Sequence, residues 1–118
     1  MTASAAQADA FYRETLRDGL VWTVRDKGGF PAPLIDGERR VQPFWSSRSR
    51  VKNTIARVSA YQGMEPVEIE LAAWRDRWLP GLQRDGLLVG LNWSGERATG
   101  YDIEPADALR ALTERAQS

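Results

Sequence analysis

Residues 85–103, Asp85-Gly86-Leu87-Leu88-Val89-Gly90-Leu91-Asn92-Trp93-Ser94-Gly95-Glu96-Arg97-Ala98-Thr99-Gly100-Tyr101-Asp102-Ile103, decide the fold. Asp85-Gly86 offers the backbone freedom of a turn, and Leu87 to Trp93 is the most apolar strand-length run in the chain. Ser94-Gly95 then turns the backbone into a second extended run, Thr99 to Ile103. The pair reads as a hairpin, and the apolar character of its first strand places it centrally. Pro105 suits the first position of a helix, because its missing amide would be unpaired there. Ala108, Leu109, Leu112 and Ala116 supply the apolar stripe of a helix over 105–116.

Upstream, Leu71, Trp74, Trp78 and Leu82 lie on one helical stripe, which Pro80-Gly81 should kink or end. Val67, Ile69 and Leu71 alternate with Glu68 and Glu70, the pattern of a strand with one wet face and both glutamates outward. Val51, Ile55 and Val58 predict a helix over 47–60, started by Ser46 or Ser47 as N-cap and stopped by Gly63. Arg40 to Trp45 reads as a strand. Ala8, Phe11, Tyr12, Thr15 and Leu16 predict a first helix over 5–18, ended by Gly19. From Leu20 to Asp26, Leu20, Trp22 and Val24 share one strand face and Val21, Thr23 and Arg25 the other. Lys27-Gly28-Gly29, Pro31, Pro33 and Asp36-Gly37 leave room for only a short strand after it.

Three strands in a row suggest an antiparallel meander. The order α-β-β-β-α-β-α-β-β-α predicts a single α+β domain over 1–118. We expect an antiparallel or mixed sheet of about five strands with about four helices packed on it, and flexible residues 1–4. One core is what 118 residues support, and 42% apolar residues with five tryptophans are enough to build it.

Sixteen basic and sixteen acidic side chains cancel, so no long-range field draws the chain to nucleic acid or an anionic membrane. Arg39, Arg40, Arg48, Arg50, Lys52 and Arg57 do cluster, but no nucleic-acid module signature accompanies them, and nucleic-acid binding is a minority reading. The chain has no cysteine and no histidine, which removes thiolate chemistry, the commonest metal ligand and the commonest general base. No catalytic residue, metal site or cofactor is assigned, and the residue set leans away from catalysis without deciding the matter. What remains for an enzyme is carboxylates: Asp102 with Glu104 and Glu68 with Glu70, pairs usually found on solvated sheet edges. No run of about 20 apolar residues predicts a membrane span, and no signal-peptide pattern opens the chain, so the expected address is the cytoplasm.

The first site candidate is the start of the second helix. There Ser46 and Ser47 precede Arg48, Arg50 and Lys52, with Trp45 at the end of the preceding strand. Free amides at a helix N-terminus and flanking guanidinium groups bind a phosphate or carboxylate. The same residues also describe an ordinary serine cap followed by a solvated basic helix face. Cations there oppose the helix dipole, a conflict that an anion would relieve. Trp45 and Trp93, at strand ends beside turns, are expected to be partly exposed and available to an apolar ligand group, whereas Trp22, Trp74 and Trp78 belong in the core.

Gly29-Phe30-Pro31-Ala32-Pro33, Pro43-Phe44-Trp45-Ser46-Ser47 with Ser49-Arg50, Trp78-Leu79-Pro80-Gly81-Leu82 and Gly86 to Trp93 resemble the bacterial domain-of-unknown-function family 2750, from Phe11 to Pro105. That resemblance implies a small stand-alone bacterial protein with no assigned activity. More weakly, the strand ending Pro43-Phe44-Trp45 before Ser46-Ser47 and a helix is similar to the N-terminal domain of enhanced-serine-sensitivity proteins. No functional residue carries over from either.

The leading expectation is a non-enzymatic interaction module whose partner is another protein or a second copy of the chain. The alternative is a sensor or binding domain for a small anionic ligand. A flat apolar patch would favour the first, and a concave pocket lined by polar groups and tryptophan the second.

Overall fold

The computed structural model describes residues 2–35, 39–95 and 98–117. Helix α1 (Ala3–Asp18) starts on Thr2, whose hydroxyl accepts from the Ala5 amide at 3.1 Å, so it takes in residues expected to be flexible. It ends on Gly19 in the left-handed conformation, φ 72°, with the Gly19 amide donating to the Thr15 carbonyl.

Strand β1 (Leu20–Arg25) follows directly, and its partner is not the next strand. It pairs antiparallel with β4 (Glu65–Glu70), Leu20 opposite Glu70 and Arg25 opposite Glu65. The expected meander is therefore wrong: alternation marks a strand and its faces but not its partner. β2 (Leu34–Ile35) and β3 (Arg39–Phe44) form a short antiparallel pair. The expected Asp36-Gly37 turn between them lies outside the described residues.

β3 runs parallel to β5 (Leu88–Ser94), and β5 is antiparallel to β6 (Thr99–Ile103), giving a four-stranded mixed sheet in the order β2-β3-β5-β6. The β1–β4 ribbon is tied to this sheet where Trp22 and Trp45 exchange both backbone hydrogen bonds, at 2.8 and 2.7 Å. The result is an α+β fold.

Helix α2 (Arg48–Arg57) is shorter than the expected 47–60. Val58 adopts an extended conformation, φ −102°, ψ 114°, before a 3₁₀ turn over Ser59–Tyr61. The third helical segment is longer than expected. α3 (Leu71–Ala73), a π-helical turn (Trp74–Trp78) and α4 (Leu79–Arg84) follow one another with helical backbone at each junction. Pro80, the second residue of α4, does not end the rod: the wider turn before it takes up the register that its missing N–H cannot hold. α5 (Pro105–Ala116) has the limits expected of it.

The core lies on both sides of the sheet. On one face, Phe11 and Tyr12 of α1, Trp74, Leu79 and Leu82 of the helical rod, and Ala108 and Leu112 of α5 cover Phe44, Val89 and Leu91. On the other, Val51 of α2 and Val58 and Tyr61 after it cover Val41, Trp45 and Trp93. No helix among the described residues is long and apolar enough to cross a membrane.

Candidate functional site

The candidate residues meet where β3 leads into α2. Ser47 is the N-cap, its hydroxyl accepting from the Arg50 amide at 3.2 Å, and the first turn of α2 carries no acidic residue of its own. The anion comes from α1. Arg50 Nε and Nη2 donate to Glu14 Oε1 and Oε2 at 2.9 and 2.7 Å, a two-pronged pairing, and Ser46 Oγ donates to Glu14 Oε1 at 2.7 Å. The Arg50 guanidinium holds the Glu14 carboxyl below its ordinary value of 4.5; partial burial opposes this and the Ser46 hydroxyl assists it. The same bond raises the pKa of Arg50.

A β-bulge builds the opposite wall. Between the pairs Leu91–Tyr101 and Ser94–Thr99, two residues of β5, Asn92 and Trp93, stand against Gly100 alone. Asn92 has φ 52°, a conformation that asparagine tolerates better than most residues. Its buried amide accepts from the Ser46 backbone N–H at 2.9 Å and donates to Ser46 Oγ at 2.9 Å, binding the bulge to the start of α2. The extra residue turns Trp93 onto the α2 face of the sheet, above Gly90 and Gly100; a Cβ on Gly90 would stand 2.5 Å from the indole. Trp93 Nε1 donates to Asp102 Oδ1 at 2.8 Å, while its carbonyl accepts from Trp45 Nε1 at 2.7 Å and Thr54 Oγ1 at 3.2 Å.

Between these walls lies a cavity of about 150 Å³, lined by Trp45, Arg50, Asn53, Thr54, Arg57, Asn92 and Trp93 with the Ser94-Gly95 turn. Three of the six candidates, Trp45, Arg50 and Trp93, line it together. Ser46 lies behind them on Glu14 and Asn92, Ser47 is the helix cap, and Arg48 is exposed and outside the lining.

Two expectations about exposure are corrected. Trp45 is fully buried, its indole N–H donating to the buried Trp93 carbonyl, and Trp93 is 3% exposed because the bulge redirects it inward, its indole N–H reaching Asp102. Trp22 and Trp78, assigned to the core, are only half-buried at its margin, whereas Trp74 is fully buried. Glu14, Asn53, Arg57 and Asn92 were missed. Arg57 belonged to the basic cluster without being singled out, and nothing local marks Glu14 as the partner of an arginine on another helix.

Arg57 is exposed and makes no hydrogen bond or ion pair among the described residues, so of the two cavity arginines one is committed to Glu14 and one is free. The carboxylate pairs do not form a second centre. Glu68 and Glu70 are exposed, Asp102 serves Trp93, and Glu104 accepts from Arg39, whose guanidinium lowers its pKa. Among the described residues no three Asp or Glu side chains come together as metal ligands would. Beyond Trp93, an apolar groove of about 500 Å³ runs along Pro31, Pro33, Val58, Tyr61, Met64 and Ala98, with Arg40 at its side.

Residues 8–112 match the family described as Protein of unknown function (DUF2750), and the chain belongs to that family. Of the two resemblances noted in the sequence, the match supports this one. Comparison with curated proteins finds no match.

Proposed function

We propose that this DUF2750 member is a non-enzymatic binding module of the bacterial cytoplasm that takes a small anionic group into the Trp45–Arg50–Trp93 cavity. The observation that carries the reading is the combination of a concave, tryptophan-backed cavity with an arginine, Arg57, that is unpaired among the described residues, beside one fixed by Glu14. An anion seated there gains the charge of Arg57 and the directed donors of Asn53 without displacing the Glu14 pair. The cavity, about 150 Å³, lies below the roughly 300–1,000 Å³ of pockets for drug-sized ligands. It suits a phosphate, a carboxylate or the head of a larger molecule whose apolar part reaches the neighbouring groove.

The test is thermal stabilisation of the full chain by inorganic phosphate and short-chain carboxylates, with Arg57→Ala and Arg48→Ala in parallel. Saturable stabilisation that Arg57→Ala loses and Arg48→Ala keeps supports the reading. A blank screen, or stabilisation that both variants keep, removes it.

A second reading, recognition of a protein partner or second copy, draws on the apolar groove, which could receive a partner's apolar side chain. Light scattering across a concentration series tests the second-copy form. A strictly monomeric chain at high concentration would remove it.

A further inference from the structure

On the other face of the sheet, sharing no lining residue with the cavity above, a second concavity of about 300 Å³ opens between β3 and the helical rod, lined by Gln42, Arg77, Trp78, Gly81, Leu82 and Asp85. Three observations converge on it. Gln42 is 5% exposed, yet its side-chain amide makes no hydrogen bond among the described residues, and Nε2 is sealed from solvent without a partner. Buried amides are nearly always paired, so an unpaired one facing a cavity asks what its partner is. Arg77 likewise makes no hydrogen bond or ion pair among the described residues, although Arg75, Arg84 and Arg50 all do. Finally, the wall carrying Arg77 and Trp78 is the π-helical turn, the one departure of this rod from α geometry and a form that recurs at functional sites.

We propose that this concavity binds a small carboxylate-bearing metabolite of amino-acid size, its carboxylate held by Arg77 and the Gln42 amide and its amino group facing Asp85. The chemistry follows from the donors. A guanidinium matches a carboxylate with two parallel N–H donors, and the Gln42 amide, which presents either oxygen or nitrogen after a half-turn of its last torsion, completes the set. Asp85, at the end of α4, has only a loose 3.6 Å contact to Arg84 and remains largely exposed, so it can take up an ammonium group. Trp78 supplies a rigid apolar wall: its ring is held edge-on between Phe44 and Phe30, with centroids 5.9 and 5.0 Å away. A volume of about 300 Å³ lies at the lower limit of ordinary ligand pockets and suits an amino acid better than a nucleotide.

The test is calorimetric titration of the full chain with a panel of free α-amino acids, each beside its amine-only and carboxylate-only analogues. The site predicts saturable binding of one or more amino acids. Arg77→Ala and Gln42→Met should each weaken that binding at least tenfold, and Arg48→Ala, which lines neither concavity, should leave it unchanged. Gln42→Met keeps the volume and removes the unpaired amide, so the variant stays folded and its lost binding reports on the site. Retained binding of the amine-only analogues alone would overturn the role of Arg77. No binding across the panel, or binding indifferent to both variants, would overturn the proposal and leave Gln42 paired to a buried water.

Discussion

Glu14 and Arg50, 36 residues apart in the chain, close two hydrogen bonds of 2.9 and 2.7 Å between α1 and α2. The cations at the start of α2 run against the helix dipole, and α1 supplies the carboxylate that compensates. The anion implied by this arrangement is thus internal. What is left for an external one is Arg57, just under two turns beyond Arg50 along α2.

Breaking this pair should cost more than breaking a solvent-exposed one. Glu14 is 13% exposed and Arg50 38%, so Glu14→Ala should lower stability by about 1–3 kcal/mol, nearer the lower end because water still reaches the arginine. Arg50→Ala should cost a similar amount, and the double variant less than the sum of the two. Arg17→Ala, which breaks the exposed contact to Asp18, should leave the denaturation midpoint unchanged. Additive costs for Glu14 and Arg50 in urea titrations would show the pair to be energetically idle.

Because the folded chain holds the Glu14 carboxyl below its ordinary value of 4.5, its contribution to stability is complete above that value. As the pH falls, the unfolded chain takes up the proton first, and the contribution is lost on the way down through the folded pKa. Glu14→Gln should therefore flatten the acid side of the stability profile while costing stability at neutral pH. A wild-type profile that lies above the variant at pH 7 and converges on it only as the pH falls below 4.5 is the expected result.

Helix limits were legible wherever a local device sets them. Pro105 starts α5, and Gly19 ends α1 because only a left-handed residue closes it. What local pattern cannot carry is partnership across the fold. Nothing in Leu20–Arg25 names Glu65–Glu70 as its mate, and nothing near Arg50 names Glu14. The site shows the same division. Trp45, Arg50 and Trp93 were recognisable as residues out of keeping with their surroundings, and they do line one cavity. The exposure of Trp93 was misjudged because one inserted residue, at Asn92, reverses which face of the sheet receives it.

Burial pushes the Tyr12 and Tyr61 hydroxyls up to about 12. For an acid whose pKa is raised on folding, stability is fully present below the unfolded value of 10.0 and is lost as the pH climbs through the folded one. The chain should therefore weaken between pH 10 and 12. Tyr12→Phe removes a hydroxyl that is buried without a partner among the described residues, so it should be neutral or stabilising at pH 7 and should move the alkaline midpoint upward. Loss of stability at pH 7 in that variant would mean that the hydroxyl has a partner.

The seat of Trp93 makes the sharpest demand on sequence. A Cβ on Gly90 would stand 2.5 Å from indole atoms, so Gly90→Ala should cost about 1–3 kcal/mol or more by overpacking. The clash is with a side chain, and shortening that side chain relieves it: in a Trp93→Leu background, Gly90→Ala should cost far less than it does alone. Gly100 is different. Its added Cβ would meet not only the indole but the Leu91 carbonyl oxygen, at 2.8 Å, and a carbonyl in the sheet ladder cannot step aside. Gly100→Ala should stay costly in both backgrounds. Four urea midpoints, each alanine substitution with and without Trp93→Leu, decide the matter. No relief at Gly90 would place the indole away from it, and with it the wall of the cavity that Trp93 forms; equal relief at both glycines would show that the Leu91 carbonyl gives way after all.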